Sequence, residues 1–233
     1  MSNLHSIMPG MDSIELQNYY DKDYKNITIK LNPAMTGSKN AQYYYKKYKK
    51  ACNAEKYLRD QIDKSKMEIQ YVDGVIDFLS RTETEQELYE IQKELEENKY
   101  IKKIKSKNKI KMKPLKPLEY VSKDGFKVLV GRNSKQNDKL TMKIASKSDI
   151  WFHVKDMQGA HVILVLGGKV PSEEAIRLSA NLSALNSKAC NSSNVAVDYT
   201  EVRNVKKPSG SKPGMVNYSN YKTIYITPQK TIN

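Results

Sequence analysis

Apolar spacing along the first hundred residues switches between two periods. Ile27, Ile29 and Leu31 alternate with polar neighbours, the two-residue period of a strand, after an opening stretch that contains Asn18, Tyr19, Tyr20 and Asp21. A single strand has to find a partner, so residues 1–37 read as the remnant of a larger upstream domain. Pro33 and Gly37 then break the chain, and Ser38 is placed to cap a long helix from about Asn40. From Leu58 the apolar positions are Leu58, Ile62, Ile69, Val72, Ile76 and Leu79, the heptad spacing of a coiled-coil seam. Thr82 and Thr84 interrupt the series, which resumes at Leu88, Ile91 and Leu95. Two such helices joined by a short turn predict an antiparallel coiled-coil hairpin over 38–97.

Beyond residue 118 the periodicity is mixed. Strand composition recurs at Phe126–Val130, Ile150–Lys155, His161–Leu166, Val195–Thr200, Val202–Lys206 and Thr223–Thr227. One helix is announced by Pro171, Ser172, Glu173 and Glu174. It continues with Ala175, Leu178, Leu182, Leu185 and Ala189 at steps of three and four. The expected class is α+β: the long helical hairpin, then a mostly antiparallel sheet packed on one main helix.

Charge divides the same map. The net formal charge is +14, but 35 of the 40 basic residues are lysine, so where the charge sits says more than its total. Residues 51–97 hold 6 basic and 13 acidic side chains, residues 98–118 hold 9 lysines and no acid, and residues 119–233 hold 17 basic and 9 acidic. The middle stretch, closed by Pro114 and Pro117, reads as a polybasic linker and 119–233 as the globular domain. Cys52 and Cys190 lie far apart without metal-ligating neighbours, which argues for a reducing compartment and against a zinc site or disulfide framework. No secretory pattern opens the chain, and no apolar run reaches the roughly 18 residues of a membrane span. A cytoplasmic protein with no membrane partner is the resulting expectation.

Several segments carry candidate chemistry. Gly131–Asp138 follows a strand, and two readings stay open. Either its amides converge with Arg132, Asn133, Lys135, Gln136 and Asn137 on a phosphate, or it is a polar turn before a short helix from Lys139. Trp151, His153 and Lys155 share one strand face while Ile150, Phe152 and Val154 share the other. The first set either displays itself for base stacking and phosphate contact, or leaves Trp151 in the core with His153 beside it. A four-residue loop at Asp156–Gly159 would set His153 opposite Val162 and put His161 on the other face, so no metal or other cofactor is expected. The loop from Lys206 and Lys207 to Lys212 is either an RNA-tracking element or a solvated connector. Serines occur in no nucleophile elbow or Ser-x-x-Lys motif, so the chain is not expected to be an enzyme.

The run GRNSKQNDKLTMKIASKSDIWFHVKDMQGAHVILV, with PSEEAIRLSANLSALNSKACNSSNVAVDYTEVRNVKKPSGSKPGMV and KTIYITP, resembles the NFACT-R domain of the NFACT family. This is the fibronectin-binding-protein-A-like group whose eukaryotic relative is NEMF. Residues 18–51 resemble the family's entry into its coiled-coil hairpin, with Asn32-Pro33 where Asp-Pro is usual. The family signature falls on Gly131, Arg132, Asn133, Asn137, Asp138, Asp149, Trp151, His153, Asp156, Gly159 and His161. The resemblance implies a role in ribosome-associated quality control. It implies binding to rRNA of obstructed large ribosomal subunits and to a stalk-base protein, and recruitment of alanyl-tRNA for alanine tailing of stalled chains. It further implies an upstream NFACT-N domain and helix-hairpin-helix region with the principal tRNA contacts, so this chain is expected to be a fragment that supplies RNA binding. Arg132, Asn133, Lys135, Gln136, Asn137, Trp151, His153, Lys155, His161, Lys206, Lys207 and Lys212 are the candidate RNA-binding residues. The competing expectation is an adhesin-like protein that binds fibronectin.

Overall fold

The computed structural model describes residues 4–103 and 114–230. The chain divides into two compact units, Met1–Lys64 and Ser65–Asn233. In the first, β1 (Ser13–Gln17) pairs antiparallel with β2 (Asn26–Lys30), Ile14 opposite Ile29, so the alternating run at Ile27 has its partner within the chain. Helix α1 (Gly37–Ser80) starts three residues before the expected Asn40, so Ser38, expected as its cap, lies inside it. The Thr36 hydroxyl accepts from the Lys39 amide at 3.3 Å, and buried Asn40 ties the helix to the preceding turn through both polar groups of the Asn32 backbone.

In the second unit α2 (Glu85–Glu97) packs against the last turns of α1. Its start is written in the sequence. Thr84 accepts from the Glu87 amide, and the Glu87 carboxylate accepts from the Thr84 amide, a reciprocal cap that satisfies two otherwise orphaned N–H groups. The hairpin forms on part of the expected seam: Val72 of α1 and Ile91 and Leu95 of α2 pack as expected, but the rest of the α1 stripe does not. Tyr71, Val75 and Phe78 bury against Ile91, while Leu58, Ile62, Ile69 and Ile76 are each more than half exposed. With only 13 residues, α2 covers a short length of α1. Bulky Tyr71 and Phe78 fill the seam and turn the aliphatic heptad stripe outward.

The remaining strands form one six-stranded sheet in the order β10-β7-β5-β6-β4-β3, antiparallel at every pairing. They are β3 (Leu118–Val121), β4 (Lys127–Val130), β5 (Ile150–Val154), β6 (Val162–Val165), β7 (Val195–Glu201) and β10 (Lys222–Ile226), with a two-residue pair β8 (Val205–Lys206) and β9 (Asn217–Tyr218) outside the sheet. Two short helical pieces, α3 (Ser134–Lys139) and a π-turn at Leu140–Ile144, follow β4. Helix α4 (Glu173–Leu185), capped by Ser172, lies on one face and buries Ala175, Ala180, Leu182 and Ala184 against Val128, Phe152, Val162 and Leu164. The opposite face is covered as well. Leu140 and Val205 close over Trp151 and Ile163. The two faces of β5 therefore separate as its alternation requires, and both are packed against other elements.

Candidate functional site

The Gly131–Asp138 segment is a fastening rather than an open phosphate loop. Asn133 caps α3 by accepting from the Gln136 amide at 2.7 Å, so the helix begins five residues earlier than expected. Its Nδ2 donates to Glu90 at 3.0 Å. Arg132 donates to Glu87 at 2.7 Å, the Lys135 amide to Glu94 at 3.1 Å, and Lys135 Nζ to Glu97 at 2.6 Å. Gln136 accepts from the Arg132 amide and donates to the Leu115 carbonyl. The cations and amides read as phosphate ligands are thus matched, one by one, to a row of carboxylates on α2. Those glutamates were not among the candidate residues. The signal for them was available, since Glu87, Glu90, Glu94 and Glu97 at steps of three, four and three occupy one helix face.

This row sets opposing responses to acid. Burial pushes the Glu87 carboxyl up, but donors from the Glu83 and Thr84 amides, the Thr84 hydroxyl and Arg132 together outweigh it and hold Glu87 below its ordinary value. Its folded value lies below the unfolded one, so its contribution is complete above about pH 4.5 and is lost as pH falls through the folded value. Burial raises Glu94, whose contribution runs in the opposite sense. Glu87→Gln is accordingly expected to flatten the loss of stability between about pH 5 and pH 3. Urea midpoints measured across that range check this, and unchanged steepness would contradict it.

The second half of the motif holds the β5–β6 hairpin. Asn137 Oδ1 accepts from the His161 amide at 3.0 Å, and its Nδ2 donates to the Gly159 carbonyl at 3.3 Å. A Cβ on Gly131 would lie 2.0 Å from Asn137 Oδ1, so glycine there is a steric requirement. Asp138 accepts from the Gly214 amide at 3.1 Å and pairs with Lys207. Buried Asp149 accepts from the Ser146 and Leu166 amides and fixes the start of β5.

Between these supports lies an aromatic cluster. Phe152 pairs with Val162 across β5 and β6, so the register sets His153 opposite His161, and the two imidazoles stand 5.4 Å apart, edge to face. The opposite-face expectation is corrected here, because the connection from Val154 to Ala160 has an odd number of residues and shifts the register by one. Among the described residues no group of three His, Cys, Asp or Glu side chains is placed to hold a metal ion. Trp151 is wholly buried, stacks on His153 at an interplanar angle of 6°, meets His161 edge to face, and lies 4.8 Å from the tilted Tyr218 ring. His161 Nδ1 lies 2.8 Å from the Thr141 hydroxyl. Burial lowers His153, and burial followed by the neighbouring His153 holds His161 well below the imidazole range, so both rings are neutral at physiological pH.

A cleft of about 430 Å³ opens beside this cluster, walled by the end of α1 at Tyr71 and Gly74, by Met157 and Gln158, and by Pro208–Tyr218. Of the candidate residues, Asn137, Trp151, His153 and His161 line it. Lys212 lies over the rings of Tyr100 and Tyr71, and Lys155 over Tyr221. Lys206 is exposed on β8. The polybasic stretch 98–118 lies in part, at 104–113, outside the described residues.

Residues 1–114 match the model for NFACT N-terminal and middle domains, and residues 116–220 match that for the NFACT protein RNA binding domain. The chain is 42% identical over 229 residues to a Bacillus subtilis protein described as Rqc2 homolog RqcH, covering 97% of this chain and 40% of the relative. A Streptococcus suis protein of the same description is 41% identical over 226 residues, with the same two coverages. The chain therefore spans about 40% of the length of these relatives. Bovine coiled-coil domain-containing protein 25 is 32% identical over 119 residues, 48% of this chain and 57% of its own length. Among solved structures, the C-terminal part of the fibronectin/fibrinogen-binding protein from Streptococcus suis superposes with a TM-score of 0.78 at 41% identity, covering 84% of this chain and 78% of that one.

Proposed function

Because the chain belongs to the NFACT family, we propose that it is the RNA-binding portion of a ribosome-associated quality control factor and that its RNA is rRNA of the large ribosomal subunit. The observation that carries this reading is the match of 116–220 to the family's RNA binding domain. The excess of basic over acidic residues in 119–233 supplies a field suited to a polyanion. On this reading the chain binds and performs no bond-making chemistry of its own. Its site of action is cytoplasmic and ribosome-associated, with the stalk-base protein as neighbour. The whole factor recruits alanyl-tRNA, mainly through its N-terminal regions, and the ribosome transfers alanine to the stalled chain.

Cosedimentation with purified large and small subunits across a salt series tests the reading. Retention on large subunits that falls steeply between about 50 and 200 mM salt is expected, as counterion release at several phosphates requires. The same chain, added alone to a reconstituted tailing reaction, is expected to support no alanine addition. Fibronectin offered in parallel tests the second reading, adhesion, which likeness to the fibronectin/fibrinogen-binding protein of Streptococcus suis favours. Fibronectin retention that persists in high salt, with no large-subunit binding, would transfer the function to adhesion.

A further inference from the structure

We propose that the cleft beside Trp151 is a pocket for one unstacked nucleobase of a single-stranded RNA segment. The inference rests on the RNA-binding reading and names the part of the RNA that this site takes. Its size suits the role, since about 430 Å³ falls at the small end of ligand pockets and accommodates one planar heterocycle with part of its ribose. Tyr71, Trp151, His153 and Tyr218 line it; Tyr71 and Trp151 are buried behind its wall, so the half-buried rings of His153 and Tyr218 are the surfaces a flipped or splayed base meets.

The polar inventory points the same way. Trp151 Nε1 is buried and has no hydrogen-bond partner among the described residues. A buried donor left unmade costs about 1–3 kcal/mol, and a base offers ring-nitrogen and carbonyl acceptors to meet it. Gln158 lines the same cleft, and its side chain makes no hydrogen bond among the described residues, so its amide can read the edge of a base with one donor and one acceptor. Asn137 is already committed to Gly159 and His161 and acts as support. The neutral imidazoles add flat, uncharged surface.

Two backbone features keep the space open. Gly74 sits inside α1, where glycine costs about 1 kcal/mol relative to alanine, and a Cβ there would stand 3.2 Å from Gln158 Oε1. The other wall, Pro208–Tyr218, is held by the Asp138 bond to the Gly214 amide. It also carries Lys212, whose ammonium lies 4.8 Å from the Tyr100 ring centroid. The lysine- and proline-rich loop that the sequence left ambiguous thus becomes one side of the pocket.

Trp151 is the only tryptophan in the chain, so its emission reports on this cleft alone. The 233-residue chain is titrated with ten-nucleotide oligoadenylate, oligouridylate and an abasic ribose-phosphate oligomer of equal length, with anisotropy of labelled RNA read alongside. Saturable change in Trp151 emission that tracks binding of a base-bearing strand and is absent with the abasic strand is expected. Gly74→Leu, which fills the cleft, is expected to abolish that change and weaken base-bearing RNA about tenfold, the order of one stacked base. Gln158→Ala, which removes no internal hydrogen bond, is expected to weaken base-bearing RNA about fivefold and leave the abasic strand unchanged, and it reads the pocket even where Gly74→Leu fails to fold. Equal affinity for abasic and base-bearing strands, with constant emission and no effect of Gln158→Ala, would overturn the pocket while leaving RNA binding intact. No binding of any strand at low salt would remove both readings.

Discussion

Gly131→Ala is expected to lower the unfolding free energy by about 3 kcal/mol, one of the larger losses a single methyl group can cause in this chain. The added Cβ would fall 2.0 Å from Asn137 Oδ1, well inside contact distance, and 3.3 Å from the Asn137 Cα, so rotating the side chain alone does not make room. Asn137 has to leave, and with it go the bonds to the His161 amide and the Gly159 carbonyl. Both are buried; the His161 amide is then without a partner, and the Gly159 carbonyl keeps only the His153 ring. Each such group costs about 1–3 kcal/mol, which sets the magnitude. Urea denaturation of the single variants and of Gly131→Ala with Asn137→Ala checks the cause. Because the methyl acts by expelling Asn137, the double variant is expected to lose less than the sum of the singles, and to lie close to the worse one. Additive losses would mean that Gly131 matters for another reason.

Glu94→Ala is expected to cost about 2 kcal/mol. The Glu94 carboxylate is almost fully buried and accepts from the Tyr71 hydroxyl at 2.9 Å and the Lys135 amide at 3.1 Å, so truncation strands two donors under α2. Part of that loss is returned, since burial already penalises the charge and raises the Glu94 value. Tyr71→Phe removes one of the two donors along with its need for the carboxylate, and is expected to cost less than half as much. Thermal melts of the two variants at neutral pH decide the matter. A loss within about 0.5 kcal/mol for Glu94→Ala, the range of ordinary surface changes, would show that α2 is held by its apolar seam alone.

What the residues disclosed follows what each signal depends on. Most strand and helix positions in 119–230 were legible because alternation and capping are local, as at Ser172 before α4 and Ile150–Val154 in β5, but Val202–Lys206, expected as one strand, opens as a 3-10 turn at Val202–Asn204, and β3 was not expected. The division of β5 into two faces was legible for the same reason. That both faces are covered was not, because the covering residues Leu140 and Val205 lie before and well after β5 in the chain. The His153 and His161 register depended on the parity of a loop, which composition does not encode. The hairpin was legible as an element and its seam on α2 at Ile91 and Leu95, but on α1 only Val72 of the expected stripe packs, beside Tyr71, Val75 and Phe78. Of the signature residues, Asn137, Trp151, His153, Asp156, Gly159 and His161 line one cleft, whereas Arg132 and Asn133 turn to α2. Their roles emerge only when Glu87, Glu90, Glu94 and Glu97 are set opposite them across more than 35 residues of chain.

That carboxylate row also selects a single alignment of α2. Slide the helix by one turn, three or four residues in either direction, and at least two of the four places held by Glu87, Glu90, Glu94 and Glu97 lose their carboxylate. Depending on direction, the newcomers include Lys93, Ile91 or Tyr100. A lysine would then face the cationic segment, or an isoleucine would replace the acceptor that Tyr71 and Lys135 need. Helix–helix contacts built on apolar residues tolerate such ratcheting by one turn of about 5.4 Å. This one is keyed by charge, so α2 and the segment from Arg132 to Lys135 are fastened at one register.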